Sequence, residues 1–317
     1  MAVTTEGNLG SAQDSTAAAV GAINRAKKFD LVFSAAGILV MVIAMALLLS
    51  LIGDLVIRGL ARIDYEFMNS FPSRRPERAG ILSAWVGSLA VMVTTAFLAI
   101  PIGVAAGLYL EEYARKGWLS NFIEINVSNL AGVPSIIYGL LALGLFVYGL
   151  DFGKTILVAG MTLGLLILPI VIVSTREAVR AIPRVVKEAA YGLGADQWQV
   201  MWNYVIPAAR PGIMTGSIVG LSRAIGETAP IITIGALTFI AFLPPSPIQS
   251  EFPFVSFAWL NENFTVLPIQ MFNWISRPQP EFHVNAAATG VVLMALTLSL
   301  NGIAIYIRYR LRRQYRN

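Results

Sequence analysis

The chain has 317 residues, of which 56% are hydrophobic and only 13% charged. A soluble domain of this size carries about 25% charged residues, so the composition excludes an ordinary soluble fold and points to an integral membrane protein. The formal charge of +5 is better explained by basic residues flanking spans than by nucleic acid, and the lack of cysteine excludes disulfides, thiolate metal sites and cysteine nucleophiles.

Residues 1–24 are rich in Ala, Ser, Thr and Gly and lack apolar periodicity, so they read as disordered. With Arg25, Lys27 and Lys28 they make a disordered cytoplasmic tail over 1–28. The apolar run from Phe29 to about Ile57 is longer than the ~7–15-residue core of a signal peptide. It reads as an uncleaved first span, and 29–80 as that span with an outer loop. Six apolar segments emerge in all, at about 30–57, 84–110, 122–150, 155–175, 212–240 and 286–308. Alternation in ~10-residue segments is absent, which rules out a β-barrel; the fold class is all-α integral membrane with six transmembrane helices. Pro101, Pro134, Pro169 and Pro230 lie within or at the ends of these segments, where each frees backbone groups that neighbouring helices must satisfy.

Lys and Arg fix the direction. With the N-terminus inside, the tail, 111–121, 176–211 and the C-terminus carry fifteen of them, against seven on the other side. Both termini are therefore cytoplasmic, with 309–317 a basic cytoplasmic tail. The outer segment 241–285, with Trp259 and Trp274, is long for a loop and is expected to pack on the membrane surface or re-enter it. His283, the only histidine, reads as a loop residue, and no metal site is expected. Gly153-Lys154-Thr155 resembles the end of a phosphate-binding loop, but Gly149 stands one residue too near and no strand precedes it. No ATP site is expected in this chain, and any ATPase must be a separate polypeptide.

Between the fourth and fifth segments lies a polar stretch, 183–207. Pro183 suits the first turn of a helix, and Gly192 and Gly194 end it. Asp196 with Gln199 forms a capping-box pattern for a second helix. There Trp198, Met201, Trp202 and Val205 fall on one apolar face, and Pro207 stops the helix. Lys187 and Glu188 should be exposed near the turn. An amphipathic element on the inner membrane surface and a docking element for a partner explain this pattern equally well.

Arg223 and Glu227 stand out in the fifth segment. A charge at mid-membrane costs about 2.5–3.5 kcal/mol, so both should face the protein interior. Four residues apart, they share a helix face and can pair. Gly212, Gly216, Gly220 and Ala224 repeat every four residues on the adjoining face, a stripe that allows close helix packing. The face with Thr215, Val219, Arg223 and Glu227 is left to look into a pathway. Either the ion pair only holds helices together, or Arg223 attracts an anion that Glu227 positions or screens. The planar guanidinium suits a phosphate-like oxyanion because it offers paired hydrogen bonds.

Three motifs carry a resemblance. Glu188-Ala189-Ala190, then Gly194, then Pro207 is similar to the EAA loop of ABC importer permeases, with Tyr204 and Ile206 where that family has Ile and Leu. Ser222-Arg223-Ala224-Ile225-Gly226-Glu227-Thr228-Ala229-Pro230 resembles the fifth-span signature of permeases in phosphate-specific ABC importers. Gly132-Val133-Pro134-Ser135-Ile136-Ile137-Tyr138-Gly139 resembles their third-span signature. The similarity runs over 81–308, and Glu227-Thr228-Ala229-Pro230 looks like the PstA type. The resemblance implies the type I ABC importer permease fold, with 183–207 as a coupling helix against a nucleotide-binding subunit through Lys187, Glu188, Ala189, Ala190 and Gly194. It also implies a phosphate pathway at Ser222, Arg223, Glu227 and Thr228. The partners it implies are a PstC-type permease, two copies of a PstB-type ATPase that binds ATP and Mg, and an external PstS-type phosphate-binding protein. The chain itself would carry no cofactor and no catalytic residue, and would sit in the bacterial inner membrane. Rival readings are a permease for sulfate or molybdate, an ion-gradient-driven transporter or channel, and a membrane-bound scaffold.

Overall fold

A computed structural model describes residues 6–115, 117–249, 252 and 254–314, and among them the chain is helical with no strand. Contacts divide the chain into two units, Met1–Ile57 and Arg58–Asn317. The first unit is most of α1 (Glu6–Leu60). From Phe29 to Leu51 its apolar side chains are exposed. The helix begins at Glu6 and so takes in most of the segment expected as a tail; Ala-rich sequence such as Ala17-Ala18-Ala19 favours helix even without an apolar face. Residues 1–5 lie outside the described residues.

The second unit is built around α6 (Ile156–Arg180), which packs on α3 (Leu82–Leu108) and on α9 (Ile206–Gly226). Val91, Ile156, Leu163, Ile167, Ala224 and Ile231 are buried together where these helices meet. Thr155, the residue that ended the apparent phosphate-loop motif, is the N-cap of α6, its hydroxyl accepting from the Val158 N–H at 3.4 Å. Small residues set the helix separations. A Cβ on Gly103 would lie 2.7 Å from Val171 Cγ1, and Gly216 abuts Ser174 directly. Gly212 and Gly220 face Ala178 and Ile167, so the stripe on α9 packs against α6.

Among the described residues four helices are long and apolar enough to cross a membrane: Phe29–Leu60, Leu82–Tyr113, Ile156–Arg180 and Pro280–Arg310. The segment expected as one span over 122–150 is two pieces, Trp118–Leu130 and Ser135–Gly149, bent by 105°. These are α4 (Trp118–Leu130) and α5 (Ser135–Ala142), the latter continued by a π-helical turn, Leu143–Gly149. Pro134 explains the break: it cannot donate to the preceding turn, and it pushes Val133 out of the helical region. Tyr138 spans the bend, donating to the Leu130 carbonyl at 2.7 Å. The segment expected over 212–240 is also interrupted. α9 stops at Gly226, Glu227 is extended (φ −78°, ψ 111°), and α10 (Ala229–Ile234) restarts with Pro230 in its first turn. Gly235, in the left-handed region at φ +87°, closes it, so 236–240 lie beyond. A six-span count therefore does not follow from the observed helices.

α12 (Pro280–Gln314) starts six residues earlier than expected and takes in most of the presumed basic tail. It lies along α9 and is tied to it twice: Arg308 Nη1 donates to Thr215 Oγ1 at 2.9 Å, and the Ser222 hydroxyl donates to Asn301 Oδ1. His283 is in its first turns rather than in a loop, with Nε2 3.0 Å from the Arg277 carbonyl.

The long outer segment has a core of its own. Trp274 on α11 (Leu267–Ile275) is fully buried beside Phe67 on α2 (Tyr65–Asn69) and Phe282, at ring distances of 6.0 and 6.3 Å. Arg62 fastens this layer. It donates to Asn285 Oδ1 (3.1 Å), Asp64 (2.9 Å) and the Glu77 carbonyl (2.7 Å), while Asn285 donates to the Pro76 carbonyl (2.8 Å). Trp274 is thus a core residue of the protein.

Candidate functional site

The polar stretch folds largely as its residues dictate. α7 (Arg184–Gly192) follows Pro183, and Gly194 adopts φ +86°, a conformation that turns the chain without steric cost only for glycine. Asp196 and Gln199 make the full capping box: Asp196 Oδ1 accepts from the Gln199 N–H at 2.7 Å, and Gln199 Oε1 accepts from the Asp196 N–H at 3.1 Å. This opens α8 (Gln197–Val200).

Two expectations fail here. Pro207 does not stop the helix. α8 passes through a π-helical turn, Met201–Val205, straight into α9, and Pro207 lies two residues beyond that turn, whose wider spacing accommodates its missing N–H. Nor is the apolar face single. Met201 and Val205 are buried with Val179, Ala190, Val200 and Ala209, whereas Trp198 and Trp202 stack on each other, 5.7 Å apart, and stay exposed. The wider π turn rotates successive side chains away from the simple 3.6-residue spacing.

Glu188, Ala189 and Gly194 are exposed on the outer edge of this element, and Ala190 packs inward. Lys187 is not exposed as expected. Its Nζ donates to the carboxylate of Glu112, and both side chains are less than a fifth exposed. Around this pair is a charge cluster that sequence reasoning missed. Arg180 grips Glu111 through Nε (3.1 Å) and Nη2 (3.0 Å), while buried Arg176 reaches Glu111 (3.4 Å) and Glu124 (2.9 Å). The adjacent acids Glu111-Glu112, ending a long apolar run, were the available signal.

At the other candidate site, Arg223 Nε donates to Glu227 Oε1 at 3.2 Å, from the last turn of α9 to the residue that ends it. The guanidinium is 41% exposed and the carboxylate 20%. Among the described residues Glu227 is the one hydrogen-bond partner of Arg223, and it engages only Nε. The terminal amines, the two-pronged edge of the guanidinium, make no hydrogen bond among the described residues. Ser222 does not join them; its hydroxyl serves the Ile218 carbonyl (2.7 Å) and Asn301 on α12. Thr228 lies in the break, its hydroxyl 3.5 Å from the Gly226 carbonyl.

The two sequence signatures meet in space. A Cβ on Gly139 would lie 2.6 Å from Pro230 Cα, so α5 and α10 touch backbone to backbone beside the Arg223–Glu227 pair. Among the described residues no group of His, Asp and Glu could hold a metal ion.

Residues 99–313 match a family described as "Binding-protein-dependent transport system inner membrane component". The chain is 31% identical over 193 residues to the probable ABC transporter permease protein YqgI of Bacillus subtilis, covering 61% of this chain and 66% of that protein. It is 30% identical over 252 residues to the phosphate transport system permease protein PstA of Haemophilus influenzae, covering 78% and 82%. In fold it resembles a chain of the MetNI methionine ABC transporter, solved in inward-facing conformations. That likeness has a TM-score of 0.55 and 16% identity, and covers 71% of this chain and 93% of the other. This chain belongs to the family of binding-protein-dependent transport system inner membrane components, as an ABC-type permease subunit.

Proposed function

We propose that this chain is the PstA-type subunit of an ATP-driven importer that carries inorganic phosphate inward by alternating access. The observation that carries the reading is Arg223. It is a half-exposed guanidinium at a helix break, engaged on one edge by Glu227 and offering the other to an oxyanion. Similarity to relatives named as phosphate permeases supports the choice of phosphate. Arg223 would attract the anion transiently, because a translocation site must also release its cargo. The partners are a PstC-type permease, two PstB-type ATPases that bind ATP and Mg, and a PstS-type phosphate-binding protein. Both termini face the cytoplasm. The exposed edge of α7, with Glu188, Ala189 and Gly194, docks the ATPase, so that ATP binding drags the coupling segments together and opens the spans outward. Hydrolysis resets them.

Uptake of radiolabelled phosphate into vesicles holding this chain, its partners and ATP tests the reading. Arg223→Ala should abolish uptake while the complex still assembles. Normal uptake in that variant removes the proposed role, and uptake suppressed by excess sulfate or molybdate reassigns the cargo.

A further inference from the structure

Glu112 is held from two sides by the docking segment. Lys187 on α7 donates to its carboxylate, and Gln197 at the start of α8 donates to its backbone carbonyl at 3.0 Å. That carbonyl lies in the π-helical turn Tyr109–Tyr113 that finishes α3. A pull on α7 reaches α6 directly, because only Ala181, Ile182 and Pro183 separate the two helices. α3 has no such link; Glu112 and Lys187 are 75 positions apart in the chain. The contacts to Glu112 therefore join α3 to the docking segment where the backbone does not.

The opposite end of α3 reaches the pathway residues. Ser88, Val91 and Met92 line one crevice together with Ala224, Ile225 and Glu227. From Ser88 to Glu112 the helix runs about 36 Å, at ~1.5 Å per residue. α3 also packs closely on α6, Gly103 against Val171 and Gly107 against Thr175, so the contacts at Glu112 add a second, direct route into α3 beside the one through α6.

We propose that the Lys187–Glu112 pair, backed by Gln197, is a strut that carries displacement of the docking segment into α3 and so to the crevice beside Arg223 and Glu227. Lys187 is thus a positioning residue that acts inside this chain, and not a contact to the ATPase. The proposal rests on the reading that an ATPase docks on α7. A stiff tie of this kind is suited to a partly sheltered ion pair: charge holds the two ends together, and the low exposure limits exchange with water and salt.

The test uses the whole reconstituted complex. Stimulation of ATP hydrolysis by phosphate-loaded binding protein is measured for Glu112→Lys, Lys187→Glu and the combined exchange. Each single reversal should lower the stimulation at least about fivefold, the lower end of ordinary coupling between sites, and the exchange should recover most of it. Singles stimulated like the native complex, or an exchange no better than the worse single, overturn the strut. Glu112→Cys with Lys187→Cys offers a second reading without charge reversal, since the chain has no other cysteine. Unbridged, the two thiols cannot make the tie and stimulation should fall as in the single reversals; bridging them with a short bifunctional thiol reagent should restore most of it, and stimulation that stays low on bridging, or an unbridged variant that behaves like the native complex, overturns the proposal. Glu188→Lys separates the two readings. If hydrolysis ignores that change as well, docking on α7 has failed, whereas a damaging Glu188→Lys beside silent reversals at Glu112 and Lys187 defeats the strut alone.

Discussion

Gly139→Ala isolates the contact between the two signatures. The added methyl would stand 2.6 Å from Pro230 Cα and 2.7 Å from the Pro230 carbonyl oxygen, and would collide with Thr233 Oγ1. Carbon atoms rest about 3.5–4.0 Å apart, so α10 must retreat from α5 by about 1 Å. Threonine can rotate, but the backbone atoms of Pro230 cannot turn aside. Overpacking of this size costs about 1–3 kcal/mol, which corresponds to about 5–150-fold. The displaced backbone is joined through Ala229 and Thr228 to Glu227, so the misplacement falls on the partner of Arg223. Phosphate uptake into vesicles, normalised to assembled complex, should therefore fall by about 10–100-fold, in keeping with the ~10²-fold effect of a 1 Å misplacement at a working site. Gly144→Ala is the matched control: nothing lies within 4 Å of its added methyl, and uptake should stay near native. Equal native rates in the two variants would refute the argument that this contact positions the pathway.

Arg223→Lys keeps the charge but loses the two-pronged edge; one charged hydrogen bond lost, about 1.5–3 kcal/mol, should lower the phosphate specificity constant by about 10–150-fold in the same uptake assay. Asp196→Ala removes the side-chain half of the capping box and should cost about 1 kcal/mol locally, read as faster amide hydrogen exchange over 197–200 with the rest of the chain unchanged. Asn285→Leu leaves both Arg62 Nε and the Pro76 carbonyl without their buried partner, at about 1–3 kcal/mol each, and should make the 62–79 segment more open to limited proteolysis.

Local rules were legible wherever a residue's own chemistry fixes its surroundings. Gly194 announces a left-handed turn, Asp196 and Gln199 announce a cap, and the four-residue spacing of Gly212, Gly216 and Gly220 announces the face that meets α6. Interruptions were harder to read. Pro134 marks a bend but does not state 105°, and Pro207, equally visible, is absorbed into a continuous helix just after a π-helical turn. The unwound step at Glu227 has no breaker at that position; Pro230 lies three residues later. Lys187 reads as a surface cation beside Glu188, and only the return of α3 to the same end of the molecule brings Glu112 to it. The burial of Trp274 likewise shows only once Phe67 comes from distant sequence and Phe282 folds back from the start of α12 to cover it.

Thr215 and Ser222 are seven residues apart, and so are Asn301 and Arg308, with the order reversed on the second helix. Two rungs at equal intervals fix the azimuth of α9 as well as its height along α12, since spinning it would break both together. Arg223 follows Ser222 directly, so its heading is locked by the lower rung. If Arg223 receives an anion as proposed, axial rotation of α9 is not what carries its guanidinium toward that anion or away. What varies access has to be the unwound step at Glu227 and Thr228, or another surface closing over that face.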